Sequence, residues 1–527
     1  MIRSQGIKPG DAVGHRPEMK GRSELPGAGF RPGGRARLSG DQAVEGQHGG
    51  GSGGGGRLVV VSNRVPVPGR RAAAGPGGLA VALEAALKEH GGIWFGWSGD
   101  SRPAIDADAL DVRQVGRITF AVTDLTKRDV DEYYLGFANR ALWPVCHYRL
   151  GLTHFSERET AAYFRVNSLF GRKLIRMLEP GDLVWVHDYH LIPMASELRE
   201  RGFDGRIGFF HHIPWPAPEI ASALPEYKRL LKGFSAYDLV GFQTPRDAAN
   251  FGRCLVEEGI ASEIGDGWFQ TPEGHSFRAA AFPIGIDTPT FREAAAKAEH
   301  APSVKRLIST LAGQKLLIGV DRLDYSKGIE ERIQSFCSYL GAHPEELRRV
   351  TYLQVTPKSR SEVPEYRRIQ QEVAASVGEA NGRYGDVDWT PIRYLNQNIP
   401  HTTLAGLYRA ARVGLITPLR DGMNLVAKEY VASQSPEDPG VLVLSRYAGA
   451  AFELHGALIV NPYNAAETGD AIARALAMPV QERRERWGEM MQRLDTHTVG
   501  DWWRGFIGAL AKASEPVGQG NFLGVSA

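Results

Sequence analysis

The sequence predicts an α/β protein with two parallel-sheet domains. Short β-branched runs alternate with amphipathic segments along most of the chain, which is the pattern of parallel βα units. At 527 residues, the chain is longer than a single hydrophobic core usually supports, so at least two domains are expected. The alternation breaks within residues 283–289, which read P-I-G-I-D-T-P. We place the boundary between the domains there.

Eight strands are predicted, four on each side of this break. Each is a short apolar run rich in Val, Ile, Leu or Phe, as expected for buried strands. They fall at residues 58–62, 183–186, 207–210, 239–241, 315–320, 351–355, 413–417 and 441–445. Helices are predicted from about Leu425 and over residues 480–513.

Two cations follow the strand predicted at residues 315–320. The segment V-D-R-L-D-Y-S-K-G, residues 320–328, contains Arg322 and Lys327 five positions apart. The strand would bring both to its carboxyl end, where open α/β sheets bind ligands. An arginine fork and a lysine charge suit a diphosphate that gains negative charge as its sugar departs, and they can replace a metal ion.

A second motif, R-D-G-M-N-L-V-A-K-E-Y, occupies residues 420–430. Its Asp421 begins a turn whose backbone N–H groups can face a ligand before the helix from Leu425, and helix N-termini attract anions. Glu429 lies one helical turn beyond Leu425 and suits the two hydroxyls of a ribose. Alone, the two motifs are equally explained by a salt bridge from Arg322 to Asp324 and by Asp421 as a helix cap. Together they predict a nucleotide-sugar site.

Further blocks extend the pattern over most of the chain. They are V-V-V-S-N-R at 59–64, G-G-L-A-V at 77–81, W-F-G-W-S-G at 94–99, D-E-Y-Y at 131–134, L-W-P from 142, H-D-Y-H at 187–190, H-I-P from 212, F-P-I-G-I from 282 and T-P-L-R-D-G-M-N-L-V-A-K-E-Y from 417. From residue 57 to about 506 the chain resembles the trehalose-6-phosphate synthases, retaining glycosyltransferases with two Rossmann-like domains facing a cleft (GT-B). The resemblance implies transfer of glucose from UDP-glucose to glucose 6-phosphate, giving α,α-trehalose 6-phosphate and UDP.

The resemblance also implies a domain plan. Residues 57–286 would form the acceptor domain, residues 287–480 the nucleotide-sugar domain, and residues 481–513 helices that pack back on the first domain. Residues 1–56 are rich in Gly, Arg and Pro and, like residues 514–527, are predicted to be flexible tails. Without a continuous apolar stretch the first tail is no secretory signal, and its acidic residues weaken a transit-peptide interpretation. An upstream start codon or a dispensable tail is preferred.

Site residues follow from the resemblance position by position. The implied catalytic residues are Asp188, His212, Arg322, Lys327 and Asp421. The implied donor-binding residues are Gly77, Gly78, His212, Arg322, Lys327, Asp421, Gly422, Met423, Asn424, Leu425, Val426 and Glu429, with the base met by backbone near Asn398 and Ile399. The implied acceptor-binding residues are Arg64, Trp97, Tyr134, Trp143, Asp188 and Arg360. Without the family, Arg64 would be read as a solvated charge and both tryptophans as core.

No metal or other cofactor is expected. The histidines at positions 187, 190, 211 and 212 match no standard zinc spacing. Two D-x-D matches, Asp106 to Asp108 and Asp386 to Asp388, could suggest a manganese-dependent transferase but are better explained as caps of turns or helices. UDP-glucose would be a substrate, not a cofactor.

Composition indicates an ordinary globular enzyme. Lys+Arg 62 against Asp+Glu 60 gives a formal net charge of +2, so neither nucleic acid nor a membrane surface is an expected partner. Three separated cysteines favour a reducing compartment, the cytoplasm. No apolar run is long enough to cross a bilayer. A homo-oligomer is expected from the family alone.

Three other interpretations stay open at this stage. One is a related transferase that uses another nucleotide, such as GDP or ADP, or another phosphorylated acceptor, such as glycerol phosphate. An oxidoreductase could use G-x-G-x-x-A at residues 75–80, although that motif does not directly follow a strand. A catalytically silent regulatory subunit is disfavoured by the intact motifs.

Departures from the family pattern are His211, T-P-K-S-R at 356–360 and a short basic loop after Arg64.

Overall fold

The structure is a computed structural model that describes residues 56–69, 78–357 and 364–513. Two predicted site residues, Gly77 and Arg360, lie outside these ranges, as do almost all of the two predicted tails. The described residues form two β-sheets with helices packed on them.

Ten strands form the first sheet, and we call the part of the chain around it the first domain. They are β1 (Leu58–Arg64), β2 (Gly92–Arg102), β3 (Asp111–Val115), β4 (Ile118–Thr126), β5 (Leu183–His187), β6 (Arg206–Phe210), β7 (Leu239–Phe242), β8 (Ser262–Gly265), β9 (Trp268–Gln270) and β10 (Ser276–Ala281). Their spatial order is β3-β4-β2-β1-β5-β6-β7-β10-β9-β8. The central strands are parallel, and antiparallel pairing occurs only towards the edges, at β3, β9 and β8.

Six parallel strands form the second sheet and define the second domain. They are β11 (Lys315–Val320), β12 (Val350–Val355), β13 (Ile392–Leu395), β14 (Val413–Ile416), β15 (Val441–Ser445) and β16 (Leu458–Val460). Their order is β13-β12-β11-β14-β15-β16. The chain runs outwards from β11 in one direction and then from β14 in the other, which is the order of a Rossmann sheet.

Helices cover the faces of both sheets. They are α1 (Gly78–His90), α2 (Lys127–Asp129), α3 (Trp143–Cys146), α4 (Glu157–Leu174), α5 (Met194–Arg199), α6 (Pro218–Ala221), α7 (Tyr227–Phe234), α8 (Pro245–Glu257), α9 (Thr288–Ala298), α10 (Pro302–Leu311), α11 (Ile329–Ala342), α12 (Pro364–Tyr384), α13 (His401–Ala410), α14 (Leu425–Ser433), α15 (Ala465–Ala477), α16 (Val480–Thr496) and α17 (Val499–Ala511). A wide-turned π-helical segment, Val130–Leu142, precedes α3.

All eight predicted strands are present, with shifts of one or two residues at several ends. The first, predicted over residues 58–62, continues to Arg64, so this arginine ends β1. The prediction missed eight others. Of these, β3 and β8 are exposed along their whole length and carry no periodic apolar face. The prediction of two parallel-sheet domains is confirmed, and the edge strands β3 and β8 add antiparallel pairs to the first sheet.

The two sheets share part of one hydrophobic core. A single buried cluster includes Val60 and Trp94 from the first sheet and Ile318 and Leu444 from the second. Trp502 of α17 belongs to the same cluster. The linker, residues 282–287, therefore joins two domains that are already in apolar contact.

The last helix packs on the first domain, as the resemblance implied. The rings of Phe506 and Trp185 stack with centroids 4.9 Å apart. Phe506 also lies over Gly208 and Gly241, where an added Cβ would come within 2.8 and 2.7 Å of its ring. A side chain at either glycine would push the helix off the sheet. At its start, Thr498 and Asp501 form a capping box.

Candidate functional site

Each sheet places some of its predicted site residues where its strand order reverses. In the second sheet this point lies between β11 and β14. Arg322 and Lys327 follow β11, and Asp421 follows β14. In the first sheet it lies between β1 and β5, with Arg64 ending β1 and Asp188 following β5. Open α/β sheets bind ligands at these reversals, outside the carboxyl ends of the strands.

A cleft of about 660 Å³ lies between the domains. Its walls include ten of the twelve predicted donor-binding residues: Gly78, His212, Arg322, Lys327, Asp421, Met423, Asn424, Leu425, Val426 and Glu429. Asn398 and Ile399, expected near the base, line it as well. Gly422 does not; a Cβ there would meet the carbonyl oxygen of His212 at 2.1 Å, so this glycine permits the close approach of the two domains.

Lys327 and Asp421 meet at the end of the cleft where the sequence predicts the diphosphate. The Lys327 Nζ lies 2.5 Å from Asp421 Oδ2, and the Asn424 amide donates to the same oxygen at 3.0 Å. Asn424 adopts a φ of 77° and accepts from the N–H of Ala427 at 3.1 Å, so it caps α14. The cap, the aspartate and the lysine are thereby held as one unit at the helix N-terminus.

A buried ion pair supports the loop that carries Arg322 and Lys327. Arg332 is fully buried and lies 2.7 Å from Asp321. It also donates to the carbonyl of Lys327 at 3.1 Å and to Thr417 Oγ1 at 3.0 Å. Sequence reasoning missed both members of the pair. The one available signal was Asp321 directly after a strand, because a carboxylate there needs a cationic partner if it is buried.

Glu429 lies along the same wall of the cleft, on α14. Its side chain is almost completely buried, and burial raises the pKa of its carboxyl to about 7, opposed by the Tyr408 hydroxyl. Removal from water disfavours the charged form of an acid that has no cationic partner. A ribose with two hydroxyls would supply donors that this carboxylate can accept.

His212 reaches the cleft from the first domain. Its Nε2 lies 3.0 Å from His187 Nδ1, and the Gln243 amide nitrogen lies 3.4 Å from its Nδ1. Burial lowers the pKa of His212 to about 3. The ring is therefore neutral near pH 7 and can position a hydroxyl but supply no charge. Its backbone N–H donates to Asp188 Oδ1 at 3.2 Å, which links two of the predicted catalytic residues.

Three of the predicted acceptor residues, Arg64, Trp97 and Tyr134, lie next to one another in the first domain. The Arg64 guanidinium lies 5.8 Å from the centre of the Trp97 ring, and Trp97 lies 5.8 Å from the ring of Tyr134. On the other side, Arg322 lies 5.8 Å from the ring of Trp143. Both tryptophans are buried, which agrees with the core interpretation, yet each faces a site arginine. Gly99 leaves room for Arg64, since a Cβ there would lie 2.6 Å from its guanidinium.

The carboxylate pairs that could suggest a metal make other contacts. Asp106 accepts the backbone N–H of Asp108 at 2.9 Å and so closes a turn. Asp386 and Asp388 form ion pairs with Arg348 at 2.7 and 2.5 Å. Within residues 56–69, 78–357 and 364–513, no three His, Cys, Asp or Glu side chains are grouped so that they could hold a metal ion.

His211 points away from His212, into the core of the first domain. Its ring lies 5.4 Å from that of Trp215 and 5.8 Å from that of Phe242. Burial lowers its pKa to about 3. The unfolded chain binds this proton near pH 6.5 and the folded chain does not, so the stability that neutral His211 permits is present above pH 6.5 and is lost as the pH falls towards 3.

We therefore expect His211→Leu to make the protein more resistant to acid. Between pH 6.5 and 3, the variant should lose about 1.4 kcal/mol less stability per pH unit than the parent chain. Urea unfolding from pH 7 to pH 4 measures this difference. His300→Leu, a substitution at an exposed position, is the matched control and should leave the pH dependence unchanged. Equal slopes for His211→Leu and the parent chain would contradict the assignment.

No helix in the described parts of the chain is long and apolar enough to span a membrane. The three cysteines, Cys146, Cys254 and Cys337, are all free thiols.

Comparisons with known proteins agree with this geometry. A family model described as glycosyltransferase family 20 matches residues 56–512. A trehalose-6-phosphate synthase from Sinorhizobium fredii (strain NBRC 101917 / NGR234) is 53% identical over 463 residues, which is 88% of this chain and 100% of the relative. The chain belongs to glycosyltransferase family 20.

Solved structures place the fold of this family-20 chain with the GT-B enzymes. A UDP-forming α,α-trehalose-phosphate synthase from Burkholderia xenovorans, in complex with glucose-6-phosphate, is 44% identical with a TM-score of 0.82, covering 86% of this chain and 100% of its own. The Escherichia coli trehalose-6-phosphate structure bound with UDP-2-fluoro glucose is 43% identical with a TM-score of 0.81, covering 87% and 99%. The two facing Rossmann sheets and the returning C-terminal helix are thus the family architecture.

Proposed function

We propose that the protein is a UDP-forming α,α-trehalose-phosphate synthase. It transfers glucose from UDP-glucose to glucose 6-phosphate and retains the α configuration. One observation carries the proposal: Arg322, Lys327 and the capped start of α14 meet at the strand reversal of the second sheet, with Glu429 one turn along the same cleft. Relatives at 43 to 53% identity that carry the synthase name or were solved with its ligands support it.

The donor half of the reaction follows from the charges on the wall formed by the second domain. The diphosphate lies against Arg322 and Lys327 and against the N-terminus of α14, where backbone N–H groups and the helix dipole favour anions. Glu429 accepts the ribose hydroxyls, and the base lies near Asn398 and Ile399. The glucose then extends towards His212 of the first domain, whose neutral ring positions a hydroxyl.

The acceptor half is assigned to the first domain. Glucose 6-phosphate carries a dianion, so its phosphate needs fixed cations. Arg64 lies at the reversal of the first sheet, beside Trp97 and Tyr134. Asp188 accepts sugar hydroxyls, and Arg360 would add a second cation. The Arg322 guanidinium lies 5.8 Å from the Trp143 ring, so Trp143 is the acceptor residue that lies beside a leaving-group cation.

The chemistry needs no protein nucleophile. The bond from the donor's C1 to the diphosphate oxygen breaks, and a bond forms from that C1 to the oxygen of the acceptor's anomeric hydroxyl on the same face. The hydroxyl proton passes to the departing phosphate oxygen. Arg322 and Lys327 stabilise the charge that develops on the diphosphate, so the rate depends on positioning and electrostatics.

The deciding experiment is a UDP-release assay that includes EDTA. UDP-, GDP- and ADP-glucose are each offered with glucose 6-phosphate or glycerol 3-phosphate, and the product is identified by mass and NMR. We expect an α,α-1,1-linked disaccharide phosphate from UDP-glucose and glucose 6-phosphate, at the same rate with and without EDTA, because two cations take the role of a metal.

The other outcomes separate the alternatives. Turnover only with another nucleotide or with glycerol 3-phosphate would identify a related transferase. A rate that EDTA abolishes and Mg²⁺ or Mn²⁺ restores would overturn the metal-free mechanism. No turnover with any pair would favour a silent regulatory subunit. A cytoplasmic location, expected from the cysteines, and a homo-oligomer, expected from the family, stay predictions.

A further inference from the structure

The linker between the domains is held from both sides at one residue. Ile284 lies between the end of β10 and the start of α9. Its N–H donates to Gln243 Oε1 at 3.0 Å, and its carbonyl accepts from Lys428 Nζ at 2.6 Å. Gln243 follows β7 in the first domain, whereas Lys428 lies on α14 in the second. Ile284 itself lines the cleft.

The two residues that hold Ile284 each adjoin a proposed donor-binding residue. Lys428 precedes Glu429 on α14 and lies on the buried side of the helix. The amide oxygen of Gln243 accepts the N–H of Ile284, which leaves its amide nitrogen facing His212. That amide nitrogen lies 3.4 Å from His212 Nδ1. That nitrogen can only donate, so His212 Nδ1 accepts and its Nε2 carries the proton that faces His187.

Lys428 is a costly residue to bury. Its side chain is about 1% exposed, and burial lowers the pKa of its ammonium although Glu453, at 2.6 Å, opposes the change. Glu453 in turn pairs with Arg493 of α16 at 2.7 Å. A buried ion pair seldom adds stability over apolar residues of the same volume. This ion pair instead serves to orient the Lys428 ammonium, which fixes the position of the Ile284 carbonyl.

Neighbouring contacts leave the linker little freedom. His497 Nε2 lies 2.6 Å from the carbonyl oxygen of Pro283, and the N–H of Val499 donates to Ile286 at 3.2 Å. A Cβ on Gly285 would meet the carbonyl oxygen of His497 at 2.4 Å. Residues 283–286 are thus fixed by both domains and by the segment that joins α16 to α17.

We propose that Lys428 and Gln243 are positioning residues which, through Ile284, set the distance between His212 and Glu429. The glucose of the donor contacts the first domain and its ribose the second, so this distance decides whether UDP-glucose lies in its reactive position. The inference rests on the proposed function. UDP lacks the glucose that extends to His212, so binding of UDP alone does not report this distance.

Lys428→Met tests the proposal. We expect kcat to fall by about 10- to 100-fold, the effect of a small misplacement of reacting groups. The Ki of UDP should change by less than about threefold, because the wall that binds UDP is intact. A residue that served stability alone would lower the melting temperature and leave both constants unchanged in the folded protein.

Lys173→Met is the matched control. Lys173 is also fully buried, and its Nζ donates to two backbone carbonyls, Asp106 at 2.8 Å and Ala109 at 2.6 Å, far along the chain from the linker. Both variants lose a buried ammonium and should lose stability. Assayed below both melting temperatures, only Lys428→Met should lose turnover. Equal kcat in Lys428→Met and the parent chain would overturn the proposal.

Two further variants keep the test decisive if Lys428→Met does not fold. In Lys428→Met with Glu453→Gln, no buried charge is left unpaired, since Arg493 is 38% exposed and can turn to solvent. Gln243→Leu removes the contact from the first domain and should reproduce the loss of kcat. It should also shift the ¹⁵N resonances of His212 as Nδ1 loses its donor.

Hydrogen exchange separates this inference from the proposed function. Lys428→Met should exchange faster than the parent chain at residues 282–288, and Lys173→Met should not. This readout needs no turnover, so it stands even if the parent chain forms no product from UDP-glucose. Unchanged exchange at the linker in Lys428→Met would overturn the proposal independently of any assay.

Discussion

Lys327→Met should lower kcat by about 10²- to 10³-fold and leave the KM of glucose 6-phosphate nearly unchanged. Lys327 lies at the phosphate end of the cleft with its Nζ on Asp421, and the diphosphate gains charge there only as the sugar departs. An interaction that strengthens in the transition state is lost from kcat, not from acceptor binding. Steady-state kinetics at saturating UDP-glucose measure the two constants separately.

Controls distinguish this loss from a general effect of removing a lysine. Lys88→Met removes an exposed ammonium that pairs with Glu84 at 2.8 Å on α1, and it should leave kcat unchanged. Arg322→Ala should reproduce the loss. Arg360→Ala, at the implied acceptor phosphate, should instead raise the KM of glucose 6-phosphate. Full turnover by the Lys327 and Arg322 variants would remove both from the leaving-group role.

The residues that sequence reasoning found share one property. Arg322, Lys327 and Asp421 lie on the loops that follow the buried strands β11 and β14, and a parallel sheet brings such loops to one edge. Glu429 follows from helical periodicity, because Leu425 starts α14 and the two lie one turn apart. For these residues, spacing along the chain is enough to predict where they lie in the fold.

The residues that it missed depend on tertiary contacts. Arg332 lies on α11 and reads as one charge among several on an amphipathic helix, yet it is fully buried against Asp321. Lys428 reads as an ordinary helical lysine until α14 is packed on the linker. Gln243 becomes informative only once β7 lies beside β6, which carries His212 at its end. Local sequence gives no account of which face of a helix a second domain will cover.

Binding of UDP-glucose should strengthen as the pH rises from 6 to 8. Burial raises the pKa of Glu429 in the free protein to about 7, and only its carboxylate accepts both ribose hydroxyls. Below pH 7, affinity should fall by up to about tenfold per pH unit. Titration calorimetry without acceptor is the appropriate measurement, since glucose 6-phosphate itself titrates near pH 6.

The raised pKa of Glu429 has the opposite effect on stability, which should fall as the pH rises. The folded chain holds the Glu429 proton more tightly than the unfolded chain, so this contribution is present below pH 4.5 and is lost as the pH rises through about 7. It amounts to about 3 kcal/mol. A saturating donor should therefore stabilise the protein more at pH 8 than at pH 6, because the ribose hydroxyls compensate the buried charge.

Glu429→Gln separates this group from others that titrate nearby. It should weaken UDP-glucose by about 10- to 100-fold at pH 8, as expected for hydrogen bonds to a charged group, and abolish the pH dependence. Asp247, whose pKa burial raises to about 6, is retained in this variant, and His212 titrates near 3. Glu293→Gln, at an exposed position on α9, is the matched control. If the pH dependence survives in Glu429→Gln, the ribose carboxylate is not Glu429.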